Sequence, residues 1–218
     1  MGKRKELWVC GGWGIVRTMN CKCVIFDMGG VCVTHVQIGG AIARRYGIDP
    51  QALQEDYQGY DRPIMDGLIE PKTYWQHVAK KFHVDPDADP ICEMFHPQVN
   101  QPVIDLIKAL KERGGMRLLL GSNTCRYHWQ VIDALVPLSR LLDHCYLSCD
   151  LHLSKPDPQF YLTIARLEGL KPQECLFVDD LAPNIEGARA AGLQTFHFQD
   201  TPLWPADTAL RDLLGLPL

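Results

Sequence analysis

The chain has 218 residues, the size of one domain carrying a sizeable insertion. Hydrophobic residues make up 46% and charged residues 22%, which excludes a wholly disordered chain or a coiled coil. The net charge of −4 argues against nucleic acid as a partner, because a phosphate backbone selects a basic excess.

No run approaches the roughly 18 unbroken apolar residues that read as a membrane span. Near the start, Lys3, Arg4 and Lys5 precede an apolar run from Leu7 to Val16. Glu6 interrupts the basic part, glycines dilute the run and no small-residue cleavage site follows, so it makes a poor signal peptide. Residues 1–19 therefore read as a dispensable extension. Glu6 also breaks the myristoylation pattern. The nine cysteines are odd in number, and Cys21-Cys23 and Cys145-Cys149 lack CxxC spacing. Most sit inside apolar strands, as small buried hydrophobes of a reduced, cytoplasmic protein.

In chain order, the first strand is expected at Lys22–Phe26. From His35 to Asn100 helical patterns replace strands: Ile38–Tyr46, Pro50–Tyr57, Pro71–Phe82 and Ala88–Phe95. A helix at Val103–Arg113 stops at Gly114-Gly115, and a second strand follows at Met116–Leu120. Strands at Cys145–Ser148, Cys175–Val178 and Gln194–Phe198 come next. Between them lie helices opened by Pro158 and Pro183 and closed by Gly169 and Gly192. Near-continuous apolar strands alternating with helices predict an α/β fold: a parallel, Rossmann-like sheet with helices on both faces. The long gap predicts an α-helical cap inserted after the first strand, over residues 35–99, with the core at 20–34 and 100–218.

Ligands of open α/β sheets bind at the carboxyl ends of the strands. The first strand ends at Asp27, the second at Ser122-Asn123-Thr124, and the fourth at Asp179-Asp180; Lys155 follows the third. Carboxylate, hydroxyl, ammonium and paired carboxylates on one edge suit phosphoryl transfer from a monoester. Asp27 is the candidate nucleophile. Asp27, Asp179 and Asp180 offer the hard oxygens that Mg²⁺ takes. Ser122 and Lys155 would hold phosphate oxygens, with Asn123 and Arg126 beside them at the substrate. Asn184, in the first turn of the next helix, would orient a carboxylate. Each residue alone has an ordinary role as turn former, helix cap or surface charge; the set in this order does not.

The segments VIFDMGGV (Val24–Val31), LLLGSNT (Leu118–Thr124), SKPDP (Ser154–Pro158) and LFVDDLAPNIEGARAAG (Leu176–Gly192) resemble the haloacid dehalogenase-like hydrolase superfamily over residues 22 to about 200. The variants FDMGGV, SNTCRYH and VDDLAPNIEGA are similar to its glucose-1-phosphate phosphatase branch. The resemblance implies a Mg²⁺-dependent phosphatase of a small phosphomonoester, sugar phosphates among them. It assigns Asp27 as nucleophile, Ser122 and Lys155 to the phosphate, and Asp179, Asp180 and the Gly29 carbonyl to the metal. One position departs from the family pattern: its second Asp, which protonates the leaving group, is Gly29 here. That help is worth roughly 10²–10⁴-fold.

His35 and His128 are candidates to replace the missing acid, although surface roles are commoner for each. The remaining histidines lack ligand-like spacing. Tyr60, Asp61, Arg62, Met65 and Asp66 lie in a turn-rich stretch within reach of a substrate. Trp75, Trp129 and Trp204 belong to a core or an interface, and the oligomeric state is open. Two other readings compete. A metal-independent 2-haloacid dehalogenase also lacks the second Asp but does not keep the Asp179-Asp180 pair. A degenerate phosphometabolite-binding protein would have lost more of the set.

Overall fold

The central strands are apolar through their middles, and the computed structural model shows why. It describes residues 21–201 and 205–217; the expected extension at 1–19 and Trp204 lie outside them. Strand β1 (Cys23–Phe26) sends Val24 and Phe26 into one hydrophobic cluster and Cys23 and Ile25 into another. Successive side chains of a strand face opposite sides of the sheet, so both faces are dry.

After β1 the chain makes a short strand β2 (Val33–Thr34), then α1 (Gly39–Tyr46), α2 (Pro50–Gln58), α3 (Asp61–Met65), α4 (Pro71–Phe82) and α5 (Pro90–Met94). Strand β3 (Gln98–Val99) returns antiparallel to β2 and closes this excursion at its base. The remaining elements are α6 (Gln101–Arg113), β4 (Arg117–Ser122), α7 (Arg126–Leu135), α8 (Leu138–Leu141), β5 (His144–Leu147), α9 (Ser148–Leu151), α10 (Pro158–Leu167), β6 (Cys175–Asp179), α11 (Ala182–Ala190), β7 (Gln194–His197) and α12 (Ala206–Leu213).

The main sheet is parallel throughout, in the order β5-β4-β1-β6-β7. Order reverses at β1, between β4 and β6, so the crevice for a ligand opens above those three strands. One face packs on α6, α7, α8 and α12 through Leu106, Ile107, Leu110, Ile132, Leu138 and Leu210. The other packs on α10 and α11 through Phe160, Tyr161, Ile164, Ile185 and Ala188. The α1–α5 segment holds its own small cluster of Ala43, Ile48, Leu53, Trp75 and Val78. Among the described residues no helix is long and apolar enough to cross a membrane.

The structure shifts some expected boundaries. Strand β4 runs on to Ser122, because Ser122 still pairs in register with Leu147 of β5. Arg126 and His128, expected in a loop, lie in the first turn of α7. The strands β2 and β3 are two residues each, too short for a periodicity to register.

Leu106 is fully buried in α6 against the sheet. Leu106→Ala should cost about 2–5 kcal/mol in urea unfolding. A loss below about 1 kcal/mol would mean that α6 does not pack as described.

Candidate active site

The chain turns sharply at the end of β1. Val33 N–H donates to Met28 O at 2.9 Å, and Gly30 N–H donates to Val33 O at 2.7 Å. Asp27, at the start of this turn, is 6% exposed, and Met28 N–H donates to its Oδ1 at 2.6 Å. Gly30 has φ +79°, and a Cβ there would stand 2.2 Å from Asp180 Oδ2. The turn backbone thus lies directly on the Asp180 carboxylate, and only glycine permits it.

Lys155 enters from the loop between α9 and α10. Its Nζ lies 2.7 Å from Asp27 Oδ1 and 2.7 Å from Asp179 Oδ2, all three groups being buried. Asp179 is further held by Leu181 N–H at 2.8 Å and by Asn184 Nδ2, at 3.0 Å and 3.1 Å from its two oxygens. Asn184 therefore sits against a carboxylate from the first turn of α11. Ser122 is 1% exposed at the end of β4, next to Asp27 in the sheet order.

Three carboxylates face one ammonium. One oxygen each of Asp27, Asp179 and Asp180 lies within 4.8 Å of the others. Burial pushes the Asp27 carboxyl up to about 7; the Lys155 ammonium opposes that rise and Asp179 adds to it. Burial, then the neighbouring Asp179, raises Asp180 as well. Burial works against the charge on Lys155, but Asp27 and Asp179 outweigh it and hold the ammonium above its ordinary value. Asp27 rises because burial outweighs its ammonium neighbour, and Lys155 rises because two carboxylates outweigh its burial. Asp180 Oδ1 is also buried with no hydrogen-bond partner. A surplus of negative charge, hard oxygen donors and an orphaned carboxylate oxygen together fit a divalent cation such as Mg²⁺.

The other expected residues go elsewhere. Asn123 spends both ends of its amide on the Lys155 main chain: Nδ2 donates to Lys155 O at 2.9 Å, and Lys155 N–H donates to Oδ1 at 2.8 Å. It is a brace for the lysine loop, where a substrate contact was expected. Arg126 is exposed and ion-paired with Asp150. His35 is exposed, with Nδ1 3.0 Å from Thr34 Oγ1. His128 stacks on Phe95 with ring centroids 4.0 Å apart, and burial lowers it from 6.5 to about 4. It is thus an uncharged packing residue at neutral pH, unsuited to donate a proton. Tyr60 packs its ring, tilted, against Tyr74 and His77 within the helical segment, and Asp61 lies against Tyr57 there. Met65, Asp66 and Arg62 do meet the core. Trp75 is buried and donates Nε1–H to Asp85 O at 3.1 Å, and Trp129 packs on the main core.

Two positioning features escaped the sequence reading. A Cβ on Gly187 of α11 would stand 2.1 Å from Pro156 O, so that glycine lets the helix approach the lysine loop. The His197 ring donates Nε2–H to Asp180 O at 3.0 Å. A histidine in "HFQD" carries no sign of this, because the contact exists only once β7 lies beside β6. At Gly29, a Cβ would meet Val36 Cγ2 at 3.1 Å, so Val36 crowds the space a side chain would need.

A doubly wound α/β sheet with an acidic cluster at its switch point is the class that fold and site define. A family model for haloacid dehalogenase-like hydrolases matches residues 21–192, and the chain belongs to that family. It is 26% identical over 209 residues to Phosphatase MT3486 of Mycobacterium tuberculosis, a match spanning 91% of this chain and 96% of the relative. It is 28% identical over 114 residues to D-ribitol-5-phosphate phosphatase of Bacteroides thetaiotaomicron, spanning 50% of this chain and 55% of the relative. The fold superposes on a HAD family enzyme of Bacteroides thetaiotaomicron, crystallised with magnesium and inorganic phosphate. That comparison has a TM-score of 0.68 at 21% identity and covers 84% of this chain and 98% of the other.

His128 supplies a pH test. Its folded value lies below its unfolded one, so on acidification the unfolded chain takes the proton first. Its contribution is full above about pH 6.5 and is lost as pH falls toward 4, to a limit of about 3 kcal/mol. Urea unfolding at pH 7 and pH 4.5 should show a larger loss for wild type than for His128→Phe. Equal losses would mean that the imidazole is not buried uncharged.

Proposed function

We propose that this chain is a Mg²⁺-dependent phosphatase that cleaves a small phosphomonoester through an aspartyl-phosphate on Asp27. The observation that carries this reading is the single buried ammonium of Lys155 shared between Asp27 and Asp179, with Asp180 Oδ1 unpaired beside them. A mere structural ion pair would not gather three carboxylates around one cation, since the surplus charge costs stability. The relatives named as phosphatases support the reading.

Asp27, Asp179, Asp180 and the Gly29 carbonyl would hold the metal, whose charge supplies the neutralisation that lets an anionic carboxylate approach an anionic phosphoryl group. Lys155 and Ser122 bind the phosphoryl oxygens. An oxygen of Asp27 attacks phosphorus, the phosphorus–oxygen ester bond breaks, and the leaving oxygen takes its proton from water, position 29 having no side chain to give one. Water then attacks phosphorus, its proton is released, and inorganic phosphate leaves the regenerated carboxylate. Lys155, already beside Asp27, needs no reorganisation to meet the developing charge. Residues 35–99 act as the cap, hinged on the β2–β3 pair, and close over the substrate. A polar leaving group such as a sugar or polyol fits the polar residues where segment and core meet: Arg62, Asp66, Glu70 and Arg126.

Val36 over Gly29 favours a second reading, a phosphometabolite-binding protein without turnover, since no side chain at that position can supply a proton. One experiment separates them: hydrolysis of p-nitrophenyl phosphate and a panel of sugar and polyol phosphates, with and without Mg²⁺. Wild type should release phosphate only with Mg²⁺, and Asp27→Asn should lower the rate by at least about 10³-fold while keeping its thermal midpoint. Phosphate release by Asp27→Asn at the wild-type rate would sink the aspartyl-phosphate. Activity insensitive to chelator would sink the metal.

The absent acid gives a sharper test. Gly29→Asp alone should gain little, because its Cβ presses on Val36. Gly29→Asp with Val36→Ala should raise the rate on alkyl phosphates by about 10-fold or more, and leave p-nitrophenyl phosphate nearly unchanged because its leaving group needs no proton. An equal change on both substrates would show that proton donation is not what position 29 lacks.

A further inference from the structure

Asp66 caps the C-terminus of α3, on the helical segment, and is 8% exposed. Its Oδ1 accepts a hydrogen bond from Ser154 Oγ, across 88 residues of sequence. Ser154 is 1% exposed and immediately precedes Lys155. The opposite oxygen, Oδ2, accepts from Arg62 Nε at 3.0 Å, and the His152 ring donates Nδ1–H to Asp66 O at 2.8 Å. Arg62 also reaches Asp157, the N-cap of α10, at 3.7 Å. Next door, Ser148 Oγ donates to Met65 O at 2.5 Å while accepting from Thr124 N–H at 2.9 Å. Gly67, with φ +70°, lies so close to Cys149 that a Cβ would stand 2.7 Å from its carbonyl oxygen. The end of α3 is therefore seated on the loops that follow β4 and β5, at the residues beside Ser122 and Lys155.

Burying a carboxylate across a joint between two hydrophobic clusters is costly unless it is fully bonded. If α1–α5 lifted away, Asp66 and Ser154 would lose each other, and with them would go the neighbouring ties of the lysine loop to α3, from His152 to Asp66 O and from Asp157 to Arg62. The two hydrogen bonds of Asn123 brace that loop from the core side; Asp66 braces it from the other. We propose that Asp66 is a positioning residue for Lys155, acting through Ser154, so that seating of the helical segment and binding of phosphate are coupled. The inference rests on the phosphatase reading, in which Lys155 holds the phosphoryl group. Coupling of this kind is a shared free energy, so phosphate at Lys155 would favour the seated segment to the same degree that seating favours phosphate.

The test uses the full chain with Mg²⁺, inorganic phosphate as the probe, and p-nitrophenyl phosphate as the substrate. Asp66→Ala should weaken inhibition by phosphate about tenfold and lower kcat/KM in proportion. Asp66→Asn should recover most of both, because the amide oxygen still accepts from Ser154. Ser154→Ala, a milder change should Asp66→Ala fold poorly, should match Asp66→Ala, and the double variant should be no worse than either, as expected for one shared interaction. A lower thermal midpoint with an unchanged phosphate constant in Asp66→Ala and Ser154→Ala would reduce the contact to a structural tie and overturn the proposal. Additive losses in the double variant would overturn it too. A wild type that neither hydrolyses any ester nor binds phosphate would sink the phosphatase reading and this inference together; an active wild type with unaffected variants would sink this inference alone.

Discussion

The ammonium of Lys155, 2.7 Å from both Asp27 and Asp179, is the interaction on which the site depends. A charge with no solvent around it persists only beside an opposite one, and carboxylates in such a place persist only near a cation. Much of the surrounding architecture serves that arrangement. Asn123 grips the main chain of Lys155 from β4, Asn184 steadies Asp179 from α11, and Gly187 lets α11 come against Pro156. Remove the lysine and three carboxylates would be left to repel one another at the junction of β1 and β6.

The reversal of strand order at β1 is what brings these groups to one place. Strands on either side of β1 carry their helices to opposite faces, leaving an open crevice at the carboxyl edge. Into it the chain delivers the end of β1, of β4 and of β6, and the loop after β5. The turn at Gly29-Gly30 shows how tightly the crevice is built. Gly30 rests on Asp180, and Val36 rests over Gly29, so the position that would hold an acid is both glycine and crowded. In the proposed reaction, with Asp27 as nucleophile, Lys155 on the phosphate and no acid beside them, substrates whose leaving group departs without much help would be favoured.

The fold was legible because burial on both faces forces a strand to be apolar throughout, and that signal survives in the sequence without any knowledge of neighbours. The strand-end residues were legible for a related reason. Asp27, Lys155, Asp179 and Asp180 interrupt or follow apolar runs, where a charge is unexpected. The bonds of Asn123 to the Lys155 main chain and of Arg126 to Asp150 were not legible, since nothing in the order Ser-Asn-Thr-Cys-Arg says whether a side chain faces a ligand or a neighbouring loop. The β2–β3 pair and the packing role of His128 were invisible, the first through brevity, the second because Phe95 reaches it only through the fold.

The sequence by itself determined the alternation of strands and helices, the place of the long helical insertion, and which residue types stand at the strand ends. These follow from local rules: the period of the apolar pattern, the helix caps and the glycine stops. The tertiary structure decided which of those residues touch. That one lysine serves two carboxylates, that Val36 covers Gly29, and that Asp66 meets Ser154 are facts about pairs separated by tens of residues. Their energies depend on burial and distance, and neither exists until the chain has folded.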